Sequence, residues 1–130
     1  MTVFADTSYF IARVMARDQW SQRAEEAAQS GVRLLTSAPV ISETVSLLQQ
    51  RGYTSGALQF LGEVRHDADL TIVYVDATLR AEAWDLFHRY AGSGANLTDC
   101  ASFAIMRRFS IKVAFTFDEH FRHAGFDILR

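Results

Sequence analysis

Short apolar runs alternate with amphipathic stretches along the whole chain. Residues 2–5 (TVFA) form an apolar run closed by Asp6, the pattern of a buried strand. Residues 8–17 follow with Phe10, Val14 and Met15 at helical spacing. Ser21 to Ser30 is polar and alanine-rich, which predicts a second helix stopped by Gly31. RLLTS (33–37) reads as a brief strand. Pro39, the only proline, suits the first turn of a helix from about Val40 to Arg51, which Gly52 closes. Residues 54–66 predict another helix, and LTIVYV (70–75) is the clearest strand. Residues 77–91 carry Leu79, Ala83, Leu86, Phe87 and Tyr90 along one side of an amphipathic helix. AGSGAN (91–96) reads as a loop, 97–109 as a largely apolar helix, 112–117 as a strand, 118–124 as a short helix and 126–130 as a last strand.

Strands alternating with helices predict an α/β fold, a mostly parallel central sheet of four to five strands flanked by helices. A length of 130 residues suits one domain, 1–130, with no internal repeat, low-complexity tract or linker. Ligands of such folds bind beyond the carboxyl ends of the strands.

Composition narrows the partners. A formal charge of −2 gives no global attraction to nucleic acid, so any RNA contact has to come from a local basic patch. All of the thirteen basic residues except Lys112 are arginines, which suits bidentate pairing with phosphate or carboxylate. Cys100 is alone, so an internal disulfide is excluded and a reducing compartment fits. The N-terminus shows no basic segment followed by an apolar core, and no apolar stretch is long enough for a bilayer. The expectation is a cytoplasmic protein with no membrane contact.

Four acids stand out by position: Asp6 and Asp118 end strand patterns, Asp99 opens the helix that starts at NLTD, and Glu43 lies one turn into the helix at Pro39. Each has a structural explanation when taken alone. Asp6 and Asp118 suit N-caps, and Asp99 completes a capping pair with Asn96. Glu43 lies past the capping positions, on a side shared with Val40 and Leu47. Taken together they point elsewhere, because helix starts after parallel strands share one sheet edge. No Lys or Arg lies within two residues of any of them. Carboxylates in one cleft raise each other's pKa unless a cation holds them ionised. A hard divalent ion such as Mg²⁺ or Mn²⁺, and metal-assisted hydrolysis of a phosphodiester, are the joint reading.

Other constellations are weaker. AGSGAN lacks the Gly-Lys-Ser/Thr of a phosphate loop, and Cys100 has no basic neighbour to make it a nucleophile. His120 and His123 with Asp118 offer too few ligands for zinc. No Gly-x-Ser-x-Gly elbow occurs. A signalling receiver domain with Asp76 as phosphoacceptor fails because Asp6 has no adjacent acid and Lys112 precedes its strand. Tyr9, Phe10, Ile11 and Trp20 read as core or as the wall of a partner groove.

VFADTSYFIA, SAPVISETVSLL, LTDCASFAIM and VAFTFDEHFRHAGF, in this order, resemble the PIN domain, and within it the small VapC-like toxins of toxin–antitoxin pairs. The resemblance covers essentially the whole chain. It implies a Mg²⁺- or Mn²⁺-dependent endoribonuclease with Asp6, Glu43, Asp99 and Asp118 as its acidic quartet. By this resemblance Asp6, Asp99 and Asp118 hold the metal and Glu43 handles the attacking water. Thr7, Ser8 and Thr116 match small hydroxyl positions that meet the substrate. The resemblance further implies a homodimer and a small antitoxin bound along a groove that includes Tyr9, Phe10, Ile11 and Trp20. A solitary RNA-processing nuclease and a non-catalytic binding module of the same fold are the alternatives.

Overall fold

The computed structural model describes residues 1–15, 22, 26 and 31–129. Among these, five strands form one sheet: β1 (Thr2–Ala5), β2 (Arg33–Ser37), β3 (Leu70–Val73), β4 (Val113–Phe115) and β5 (Asp127–Leu129). Their order is β3-β2-β1-β4-β5, and every neighbouring pair is parallel. β1 is central, and Val3, Phe4 and Ala5 are all fully buried, as a strand covered on both faces requires. Helices fill the connections: α1 (Thr7–Val14), α2 (Ala38–Gln50), α3 (Thr54–His66), α4 (Ala77–Tyr90), α5 (Leu97–Arg108) and the single turn α6 (His120–His123). The predicted mostly parallel α/β architecture is therefore present.

The chain builds β1, β2 and β3 outward in one direction, then returns to place β4 and β5 on the other side of β1. This reversal opens a crevice at the carboxyl ends of β1 and β4, the usual ligand position in open α/β sheets. Asp6 follows β1 directly and Thr116 follows β4 directly.

The core sits on both sides of β1. Tyr9 of α1 packs edge-on to Phe115 at 4.4 Å, and Phe103 of α5 meets Phe121 at 5.1 Å. Every residue of α5 from Asp99 to Met106 is buried, so one acid travels into the interior with an otherwise apolar helix.

Several predicted boundaries shift for identifiable reasons. The strand expected over 70–75 ends at Val73, because its partner β2 ends at Ser37 and turns into α2. The strand expected over 112–117 stops at Phe115, beyond which side-chain hydroxyls replace the ladder. The 91–96 segment contains a 3₁₀ turn at Ala91–Ser93. Helix α1 ends at Val14 instead of residue 17. The helix expected from Ser21 to Ser30, and Trp20, lie outside the described residues save for Gln22 and Glu26.

Candidate active site

Asp6 is the N-cap of α1, yet its carboxylate caps nothing. It turns instead toward β4, where Thr116 Oγ1 donates to Asp6 Oδ2 at 2.7 Å and Ser8 Oγ donates to the same oxygen at 3.3 Å. The single hydroxyl proton of Thr116 is committed to Asp6, so the 3.1 Å approach of the two hydroxyls can draw only on the one proton that Ser8 also directs at Asp6. The backbone N–H groups of Phe117 and Asp118 donate in turn to Ser8 Oγ and Thr116 Oγ1, each at 3.0 Å. This network locks the end of β4 to the start of α1.

Asp99 enters from α5. Here the capping explanation holds: Asp99 N–H donates to Asn96 Oδ1 at 2.8 Å, and Asn96 N–H donates to Asp99 Oδ2 at 3.0 Å. The cap also fixes the carboxylate at the cleft, so the two readings coexist at this residue. Asp118 stands half-buried opposite, its Oδ1 accepting from His120 N–H at 2.9 Å. Glu43 reaches the cleft from α2, whose start is set by Ser37 accepting from Val40 N–H at 3.2 Å. Glu43 accepts no hydrogen bond among the described residues.

The four acids, Thr7, Ser8 and Asn96 line one open cleft of about 490 Å³, with Ile11, Leu47 and Phe117 as apolar wall and Arg51 and Glu119 at its margin. Thr116 is fully buried beneath it and reaches the cleft through Asp6, Ser8 and the backbone of Asp118. Asp6 is 3% exposed and Asp99 6%. Burial is the main reason that Asp6 rises from 3.8 to about 7, with Asp99 and Asp118 adding to the rise and the Thr116 hydrogen bond opposing it. Asp99 rises to about 6, again through burial first, with Asp118 and Glu43 contributing. Two buried acids held this high are short of positive charge.

One basic partner escaped the sequence reading. His120 Nδ1 lies 2.7 Å from Asp118 Oδ1 and 3.9 Å from Asp99 Oδ2, while Nε2 sits 3.1 Å from the Ser93 carbonyl. The Nδ1 approach has the distance of an ion pair but not the direction of a hydrogen bond, so this nitrogen counts as unpartnered by geometry. A carbonyl on one side and a carboxylate on the other both favour N–H groups, so the surroundings favour the protonated ring. Its pKa is raised accordingly, chiefly by Asp118. The ring approaches this closely because Gly94 has no side chain: a Cβ there would lie 3.0 Å from His120 Nε2. The expectation of acids without any basic partner is corrected to this extent. The signal was present as Asp-x-His, starting three residues after the end of β4. His123 is exposed and joins no such group.

The donor set fits a hard divalent cation. Asp99 and Asp118, with His120 when its ring is neutral, offer ligand atoms within 4.8 Å of one another. Thr7 Oγ1 is buried at the same cleft with no hydrogen-bond partner among the described residues, an oxygen left for a ligand or its water. Carboxylate and hydroxyl oxygens match Mg²⁺ or Mn²⁺ in hardness better than zinc.

A second cavity of about 270 Å³ lies between α1 and α3, lined by Tyr9, Phe10, Arg13, Tyr53, Phe60 and Glu63 among others. Of the two readings of Tyr9, Phe10 and Ile11, core and groove wall, burial supports the core: they are 1%, 7% and 4% exposed. Tyr9 and Phe10 pack on Phe115 and Phe60 and form only the floor of this cavity, while Ile11 faces the acidic cleft. Among the described residues no helix is long and apolar enough to cross a membrane.

Residues 3–127 match the PIN domain family, and the chain belongs to it. It is 31% identical over 125 residues to the 23S rRNA-specific endonuclease VapC20 of Mycobacterium tuberculosis, covering 95% of both chains. The crystal structure of that protein, described as a sarcin–ricin-loop-cleaving toxin, superposes with a TM-score of 0.89 at 30% identity over 95% of each chain. VapBC2 from Rickettsia felis, bound to a promoter DNA fragment, shares the fold with a TM-score of 0.71 at 11% identity, covering 99% of this chain and 98% of that one. FitAcB from Neisseria gonorrhoeae does so with a TM-score of 0.71 at 13% identity, covering 100% and 97%. Within the family the chain is VapC-like.

Proposed function

We propose that this protein is a divalent-metal-dependent endoribonuclease, the toxin of a toxin–antitoxin pair, and that it cuts the sarcin–ricin loop of 23S ribosomal RNA. The observation that carries the reading is the cleft where Asp6 and Asp99 are buried with raised pKa beside Asp118 and Glu43. Likeness to VapC20 over nearly the whole length supports the substrate. The chain would act as one domain, in the cytoplasm where ribosomes are found.

Asp6, Asp99 and Asp118 would hold Mg²⁺ or Mn²⁺. When bound, the cation supplies charge against the scissile phosphate and makes its water more acidic. The protein's own residues do the rest. Thr116 and Ser8 hold the Asp6 carboxylate in one orientation, and the Asn96 cap does the same for Asp99. Glu43, free of hydrogen bonds among the described residues, orients the attacking water and takes its proton. Thr7 and Ser8 line the cleft where the substrate backbone passes, whereas Thr116 acts from beneath through Asp6. Attack by water in line leaves a 5′-phosphate and a 3′-hydroxyl.

The antitoxin's apolar side chains would enter the cavity between α1 and α3, above Tyr9, Phe10 and Phe60. A homodimer belongs to the same reading, with exposed Tyr74 and Trp84 supplying apolar surface. Incubation of the purified protein with ribosomal RNA tests the function: cleavage in Mg²⁺ or Mn²⁺ and none in chelator is expected, and metal-independent cleavage refutes it.

A further inference from the structure

The net charge repels RNA, and the cleft itself is acidic, so the substrate strand needs a cation near the carboxylates. Arg51 is the one arginine or lysine among the described residues that line the cleft. Glu43, Leu47 and Arg51 follow each other at four-residue spacing, so they lie on one face of α2 and its cap. All three line the cleft. The rise from Glu43 to Arg51 is about 12 Å along the helix axis. Arg51 thus stands at the far end of a rail that starts at the water-handling acid.

The position of Arg51 is fixed by its backbone. Its N–H donates to Leu47 O at 3.1 Å, Gly52 N–H to Gln49 O at 3.0 Å and Tyr53 N–H to Leu48 O at 2.9 Å. The last two bonds form a Schellman stop, which needs the left-handed conformation that Gly52 adopts at φ +77°. The guanidinium, by contrast, is unspent. It is exposed, makes no ion pair among the described residues, and donates from Nη1 to Met15 Sδ at 3.3 Å. A thioether is a weak acceptor, so the fork keeps its full charge and most of its donors for another ligand. The other described arginines that touch carboxylates are Arg108 on Asp76 and Arg122 on Glu119.

We infer that Arg51 is the phosphate anchor of the substrate strand, binding a backbone phosphate beside the scissile one and so drawing RNA into an acidic cleft. This rests on the endoribonuclease reading of the same site. Arginine suits the role because its planar fork matches two phosphate oxygens. The contact carries no base information, so it sets register along the backbone and leaves sequence choice to other groups.

Binding of a fluorescently labelled sarcin–ricin-loop hairpin, followed by anisotropy over a salt series with Ca²⁺ in place of Mg²⁺, tests the assignment. Arg51→Ala and Arg51→Gln should each weaken binding about tenfold, the worth of one charged hydrogen-bonded contact. They should also flatten the slope of log Kd against log salt by about 0.7. Arg51→Lys should keep the slope and recover part of the affinity. Arg65→Ala, which removes an exposed charge on α3 outside the cleft, should change neither. The metal-induced shift in melting temperature should be unchanged in all three Arg51 variants. Parental affinity and slope in Arg51→Ala and Arg51→Gln would overturn the inference. So would an equal effect of Arg65→Ala, or loss of the metal shift. Absence of Mg²⁺-dependent cleavage by the parent chain would refute the nuclease reading instead, while the salt series would still report on Arg51.

Discussion

Thr116 Oγ1 donates to Asp6 Oδ2 at 2.7 Å across 110 residues of sequence, joining the end of β4 to the end of β1. The same oxygen of Thr116 accepts from Asp118 N–H at 3.0 Å. One fully buried hydroxyl therefore orients two of the four acids. Thr116→Val keeps the shape but leaves Asp6 and the Asp118 N–H short of a partner, at a cost of about 1–3 kcal/mol. Thermal melts should show that loss, and RNA cleavage should fall further than stability does. Thr116→Ser should restore most of both. Full activity in Thr116→Val would show that the hydroxyl does not hold the site.

Stability of the metal-free protein should fall as pH rises from about 4 toward 7. Asp6 is lifted from 3.8 to about 7 and Asp99 to about 6, so in this window the folded chain binds more protons than the unfolded one. The slope of unfolding free energy against pH is then negative. His120, raised above 6.5 by Asp118, adds to the loss as pH climbs through its folded value. Mg²⁺ should flatten the profile by binding the ionised folded form. Asp6→Asn with Asp99→Asn should remove the metal response and the carboxylate part of the slope, leaving the smaller His120 contribution. Melting temperatures measured across pH, with and without metal, check each point, and a metal response that survives the double substitution would move the site elsewhere.

His120 ties Asp118 to the Ser93 carbonyl, and Gly94 makes room for it. Gly94→Ala places a left-handed residue at φ +98° and a Cβ 3.0 Å from His120 Nε2. The backbone conformation alone costs about 1–2 kcal/mol. Metal affinity should fall in this variant because the displaced imidazole no longer steadies Asp118. His120→Ala should lose metal affinity similarly without the backbone cost. Isothermal titration with Mn²⁺ distinguishes the cases, and unchanged affinity in both variants would leave His120 a tether of the loop only.

A short partner encoded next to this chain should inhibit it. Co-expression and size-exclusion chromatography should give a stable complex with suppressed RNase activity, and Phe60→Glu in the α1–α3 cavity should weaken it. A stable, active protein that ignores the adjacent gene product would favour a solitary nuclease.

Much of the fold was legible because parallel strands covered on both faces write themselves as continuous apolar runs, as in TVFA and VAFTF. The meeting of Asp6, Glu43, Asp99 and Asp118 in one cleft follows from the same logic, since each stands just beyond a strand or early in a helix. His120 was less legible. Its role depends on a glycine 26 positions earlier that admits the ring, which no local pattern encodes. Helical spacing left Tyr9 and Phe10 between core and groove wall, because it does not tell the two apart; their partners, Phe115 and Phe60, lie far away in sequence. Thr116 gives no composition signal, and only the pairing of β4 beside β1 shows what it holds.

The most direct measurement is cleavage of 23S ribosomal RNA by the purified chain with its ends mapped, beside Glu43→Gln and Asp6→Asn. The account predicts Mg²⁺- or Mn²⁺-dependent cuts in the sarcin–ricin loop leaving 5′-phosphate and 3′-hydroxyl ends. Glu43→Gln should slow cleavage about a hundredfold or more while keeping the metal-induced thermal shift, and Asp6→Asn should lose both. Cleavage that persists in chelator, leaves 2′,3′-cyclic phosphate ends or survives Asp6→Asn would contradict it.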